Sequence, residues 1–197
     1  MSVQTVTPPN LPVAPADYQQ RYHEQFSNTI RLFFNNVAAA NNSAAPYASL
    51  YSTDVQTNPV ASTANAITFG STTYINGFRV GAPTSKIYVQ NRGIYSAQLS
   101  IEVDKSGAGA DNIYMWYRVN GEDATYSARK LYISGTSVWQ ALAAEYYMSL
   151  DAGDYIEFMW AAGDTTTRLY ATTASAPVPG VPSSRLTISW VSAVSLR

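Results

Sequence analysis

From position 46 onward the chain alternates apolar and polar residues in short runs, whereas the segment before it carries a different period. Between 17 and 40, Tyr22, Phe26, Ile30, Phe33 and Val37 recur at spacings of four, four, three and four. That spacing lines one face of a helix, and Arg21, Glu24, Gln25, Asn28, Arg31 and Asn35 fall on the opposite side. Asp17 followed by Gln20 predicts a capping box at its start. At its full extent the helix would be about 35 Å long. Residues 1–16 hold Pro8, Pro9, Pro12 and Pro15, which block regular hydrogen bonding and predict an extended docking arm. "AAANNSAAP" closes the segment 17–45 as a linker. The helix either packs on its own domain or, set between arm and linker, anchors or oligomerises the chain.

Residues 46–197 read as strands throughout, with candidates at 47–53, 66–69, 74–80, 86–90, 93–104, 113–119, 124–133, 141–150, 155–161, 168–172 and 185–192. Many short strands separated by turn residues predict an all-β jelly-roll sandwich of about 8–10 antiparallel strands. Asn120-Gly121 is the strongest hairpin signal, because both residues tolerate positive φ.

Several strands carry large apolar residues on both faces. In 155–161, Ile156, Phe158 and Trp160 oppose Tyr155, Glu157 and Met159; in 113–119, Ile113, Met115, Tyr117 and Val119 oppose Tyr114, Trp116 and Arg118. A sandwich needs one apolar face per sheet, so the second calls for a cover, and no further helix is available to supply it. Contact between subunits is the leading expectation, with Tyr114, Trp116, Tyr155, Glu157 and Met159 at the interface. The alternation leaves open which face turns inward, so Tyr117, Phe158 and Trp160 stay as alternatives. A carbohydrate-binding surface, which also uses exposed aromatic rings, is the competing reading.

Composition narrows the partners. Of the 197 residues 13% are charged, about half the usual share, and the net charge is −1. A neutral polar surface suits protein contacts and offers no electrostatic footprint for nucleic acid or anionic lipid. There is no cysteine, so disulfides and thiolate metal sites are excluded. The N-terminal "MSVQTVTPPNLPVAP" lacks the pattern of a signal peptide, and no apolar run approaches the roughly 20 residues of a membrane helix. The expectation is a soluble protein with no membrane contact.

Four stretches carry a family resemblance. "NRGIYSAQLSIEVD" and "IYMWYRVNGED" resemble a glycine-to-tyrosine strand and the central strand with its hairpin in the complement/tumour-necrosis-factor-like jelly roll. "YYMSLDAGDYIEFMW" resembles its Leu-x-x-Gly-Asp turn and aromatic strand, and "VPSSRLTISWV" its closing strand. The combination is similar to versions in virion proteins of tailed bacteriophages, and "FSNTIRLFFNNV" is similar to a segment preceding such domains. The chain departs from the secreted animal members in having no collagen-like stalk. The resemblance implies a homotrimer built into the virion after assembly in the host cytoplasm. There it would serve as a capsid-associated fibre or decoration protein, joined to other virion proteins through its arm and helix. The alternative is a tail-associated tip that binds a receptor or a host surface glycan.

Candidate chemistry is sparse. The single histidine, His23, lies on the helix, far from any serine elbow, and has no second histidine or cysteine for a zinc site. The carboxylates Asp151, Asp154 and Glu157, and the pair Glu122 and Asp123, have the closeness a glycosidase uses. Asp151 and Asp154 sit where turns favour aspartate, and calcium at Asp151, Asp154 or Asp164 would lack an EF-hand spacing. The expectation is therefore a protein that is not an enzyme and holds no cofactor or metal. Glu157 is the exception, because a mid-strand carboxylate must reach water or a cation such as Arg79, Arg118, Arg129 or Lys130.

Overall fold

The computed structural model describes residues 8–11, 13, 17, 19–41 and 45–193. The chain divides into two compact units, Met1–Ala45 and Pro46–Arg197. In the first, helix α1 spans Gln20–Asn41. It starts three residues after Asp17, so the predicted capping box does not form. Instead the Gln19 carbonyl accepts the backbone N–H groups of Tyr22 and His23 and closes the first turn. Gln20 donates its side-chain amide to Glu24 one turn on, which holds it on the helix surface. The proline arm expected at 1–16 lies mostly outside the described residues; 8–11 and 13 have no regular structure.

The second unit is a two-sheet antiparallel β-sandwich. Sheet I contains β1 (Tyr47–Ser52), β2 (Gln56–Thr57), β4 (Ser71–Asn76), β7 (Gly93–Lys105), β11 (Val138–Leu150), β13 (Thr167–Leu169) and β14 (Ser184–Ser192). Their order is β2-β13-β7-β14-β1-β4, with β11 also paired to β7. Sheet II contains β3 (Asn65–Ala66), β5 (Phe78–Val80), β6 (Ile87–Val89), β8 (Ala110–Val119), β9 (Glu122–Asp123), β10 (Arg129–Ser134) and β12 (Tyr155–Ala162). Here the order is β10-β8-β12-β6-β5, with β3 on β12 and β9 on β8. The fourteen strands among the described residues exceed the expected number, because a corner splits one predicted run and the two-residue strands β2 and β9 fall outside all of them.

Two departures from the predicted runs have a clear cause. The predicted strand 74–80 breaks at Gly77, whose φ of 72° turns the chain from sheet I into sheet II. A Cβ there would lie 2.7 Å from the Pro46 side chain, so glycine meets both the backbone and the packing requirement. The predicted strand 124–133 is a turn followed by β10. Ser127 donates both its backbone N–H and its hydroxyl to the Ala124 carbonyl, which closes the turn before the ladder can begin.

The buried core lies between the sheets. Leu50, Tyr95, Leu99, Ile101, Leu186 and Ile188 of sheet I meet Ile87, Ile113, Met115, Ile156, Phe158 and Trp160 of sheet II. This resolves the choice of faces: Phe158 and Trp160 are fully buried, and Tyr117 packs against the same core. Each such aromatic contributes roughly 1.5–3 kcal/mol by leaving water, before the cost of ordering the chain. Asn120 and Gly121 adopt φ values of 52° and 89°, so the tight turn forms where predicted, but it joins β8 to the two-residue β9 and not directly to the run 124–133.

Candidate functional site

The alternation that buries Ile156, Phe158 and Trp160 puts Tyr155, Glu157, Met159 and Ala161 on the outer face of sheet II. Tyr114, Trp116 and Arg118 of β8 share that face, as do Lys130 and Tyr132 of β10, Tyr88 of β6 and Arg79 of β5. All five residues expected at a subunit interface are therefore on one surface, but their surroundings differ.

Around Tyr155 the face is closed by contacts within the chain. The Tyr88 and Tyr155 rings lie 5.5 Å apart. Lys86 caps the Tyr155 ring at 4.6 Å and Arg79 caps Tyr88 at 4.0 Å. The charge of a cation is attracted to the negative face of each ring, which lets an exposed aromatic row keep a polar surface. Glu157 has the partner its position demands: Ser85 donates its hydroxyl at 2.8 Å, and Arg118 lies opposite in the ladder. Met159, beside Trp116 and opposite Ala66, is only 3% exposed and has almost no surface to offer another molecule.

Around Tyr114 and Trp116 the face is open. A depression of about 370 Å³ is lined by Tyr114, Trp116, Asp123, Tyr126, Ser127 and Ala161, among others. Trp116 donates its indole N–H to Asp123 Oδ1, and the same oxygen accepts from Arg118 Nε at 2.6 Å. The two donors, Arg118 first and Trp116 second, hold the Asp123 carboxyl below its ordinary range; Asp123 in turn raises the Arg118 guanidinium. Ala161 lies opposite Tyr114 in the ladder, and its small side chain leaves room between the rings. Tyr126 is 97% exposed, and its φ is 59°. A bulky residue in the left-handed region is uncommon and costs about 1–3 kcal/mol, a cost the surrounding turn must sustain.

Sequence reasoning missed Tyr126, Ser127 and Ser85 as members of this surface and weighed Asp123 only as a carboxylate paired with Glu122. The available signal was the stretch from Gly121 to Ser127, which is dense in turn formers and lacks apolar alternation.

The remaining carboxylates have structural work. Asp154 accepts the Asp151 backbone N–H at 2.7 Å and the Asn120 side-chain amide at 2.8 Å, while Asp151 pairs with Arg92 at 2.9 Å. Lys105 is fully buried and directs its ammonium to the carbonyls of Gly107 and Ala108 and to Asp164, at 2.6, 2.9 and 2.9 Å. Hydrogen bonds from the Thr166 backbone and from Lys105 hold the Asp164 carboxyl at about 2. Asp111 accepts from the backbone of Gly163 and Asp164 and from the Thr167 hydroxyl, pinning the turn between β12 and β13 to the start of β8. Among the described residues no group of three or more histidines, cysteines and carboxylates could hold a metal ion. No described helix is long and apolar enough to cross a membrane.

The helix residues form a second surface. Tyr22 and Phe26 stack at 6.2 Å along the predicted stripe, and Ile30, Phe33 and Val37 continue it. None of these five side chains is buried, and Leu32 and Phe34 are 59% and 61% exposed. No protein-family model matches the chain, and no curated protein matches it closely enough to establish a relationship.

Proposed function

We propose that this chain is a structural virion protein of a tailed phage, a homotrimeric capsid-associated fibre or decoration protein attached through its N-terminal arm and helix. The observation that carries the reading is the unburied apolar stripe of α1, Tyr22, Phe26, Ile30, Phe33 and Val37, ahead of a low-charge β-sandwich. An isolated helix of this length is marginal in water, and packing an apolar face is what stabilises it. From Phe26 the stripe runs at spacings of four, three and four, the period of a coiled-coil seam, with β-branched Ile30 and Val37 alternating with Phe26 and Phe33. Three copies closing on that seam satisfy it, and the arm is then free to dock on the particle. The sandwich supports the same reading through the motifs that resemble trimeric phage jelly rolls. The trimer contact is placed on the helix because Tyr155, Glu157 and Met159 already have partners or cover within one chain.

The mass of the assembled full chain in solution tests this. Three chains are expected for the natural sequence and one for Ile30→Glu/Phe33→Glu, with the sandwich still folded by circular dichroism. A monomeric natural chain overturns the trimer. Antibodies against the sandwich should label intact phage particles, and labelling confined to unassembled protein overturns the virion assignment.

A further inference from the structure

We infer that the depression between β8 and the turn 124–128 is a binding site for a neutral pyranose unit of a polysaccharide. Its lining includes three aromatic side chains, Tyr114, Trp116 and Tyr126, and aromatic rings are the surfaces on which the C–H faces of a sugar stack. Polar groups stand beside them: the Asp123 carboxylate, 57% exposed, and Ser127. Asp123 Oδ1 is occupied by two donors, whereas Oδ2 receives only a long contact of 3.4 Å from Arg118, which leaves it capacity to accept from a hydroxyl. The aspartate is compensated by Arg118, so the pair brings no net charge to the site, and Lys130 stands at its margin, 5.8 Å from the centre of the Tyr114 ring. Its volume of about 370 Å³ is that of a small-ligand site, and its openness suits a unit within a chain.

A second copy of the sandwich fits this place poorly. A dry contact would strip water from the Arg118–Asp123 pair, and such desolvation is costly. It would also have to accommodate Tyr126, which stands almost entirely clear of the surface. A sugar keeps the charged pair solvated by its own hydroxyls and uses Tyr126 as a wall. The choice of residue at position 126 is the independent sign: the turn that Ser127 closes on Ala124 calls for positive φ there, where glycine is the low-cost choice, and a tyrosine instead sets its ring at the rim of the depression at a cost in stability. Binding here needs one protomer only, so the trimer reading can fail without affecting it.

Titration of the full chain with neutral hexasaccharides of glucose, mannose, galactose and N-acetylglucosamine, followed by calorimetry and tryptophan fluorescence, tests the site. At least one is expected to bind saturably. Tyr126→Ala and Trp116→Phe should each weaken that binding about tenfold or more. Tyr147→Ala, which removes an exposed tyrosine from the outer face of sheet I, should leave it unchanged. Because Tyr126 is exposed, its loss does not threaten the fold. Saturable binding by none of the four, or binding indifferent to Tyr126→Ala, overturns the site. A change in assembled mass on Tyr126→Ala also overturns it, by assigning the patch to contact between copies.

Discussion

The two sheets bury similar inner faces and differ in how their outer faces hold aromatic rings. Sheet I turns outward Ser49, Ser96, Ser100, Thr187 and Ser189, side chains that water and short hydrogen bonds satisfy, such as that from Ser96 to Glu145, with the exposed Tyr47, Tyr74 and Tyr147 scattered among them. Sheet II turns outward Tyr88, Tyr114, Trp116, Tyr132 and Tyr155, which would be a liability if they were bare. Most are not bare. Arg79, Lys86 and Lys130 lie over the rings of Tyr88, Tyr155 and Tyr114. A row of aromatics on the outer face therefore does not by itself mean a protein interface. It can be a surface dressed in part by its own cations, with a depression left open beside Trp116 and Tyr126.

Substitutions that exchange inner and outer positions measure this difference. The largest effect is expected from Trp160→Ala, which empties a fully buried site and should cost about 3–5 kcal/mol in denaturant unfolding. Trp116→Ala, on the outer face of the same sheet, should cost less, about 1–2 kcal/mol, from its half-buried ring and its bond to Asp123. Equal costs would mean that the outer aromatics are packed as a second core.

A smaller effect separates tyrosines by face. Burial pushes the hydroxyls of Tyr95 and Tyr146, on the inner face of sheet I, up to about 12 from 10.0. Their folded-state values lie above the unfolded ones, so the stability they contribute is complete below pH 10 and is lost as pH rises toward 12. Absorbance titration should show a late tyrosine class ionising together with unfolding. Ionisation of all tyrosines before unfolding would contradict their burial.

The smallest effect is expected at the open place. Tyr126→Gly removes the left-handed strain but adds freedom to the unfolded chain, so thermal unfolding should find it within about 1 kcal/mol of the natural protein, on the stabilising side. A loss of several kcal/mol would show that Tyr126 supports the fold.

Much of the architecture is legible in local patterns because it rests on local chemistry. The 3.6-residue period places the helix, alternation places the long strands β7, β8, β11 and β12, and Asn120-Gly121 specifies a tight turn by the φ values it tolerates. The corner at Gly77 and the turn 124–128 escaped notice. One depends on Pro46, distant in sequence, and the other on Ser127 reaching back to Ala124 inside a run that reads as a strand.

The candidate site divides in the same way. Sequence by itself determined that Tyr155, Glu157 and Met159 share one face and Ile156, Phe158 and Trp160 the other, because a strand has a period of two. Only tertiary structure decided which face turns inward, since both are apolar enough to do so and the choice depends on what the opposite sheet supplies. Tertiary structure also gave Glu157 its serine, Met159 its cover and Trp116 its aspartate. Those partners come from other strands and turns, brought together by a topology that no short stretch of residues encodes.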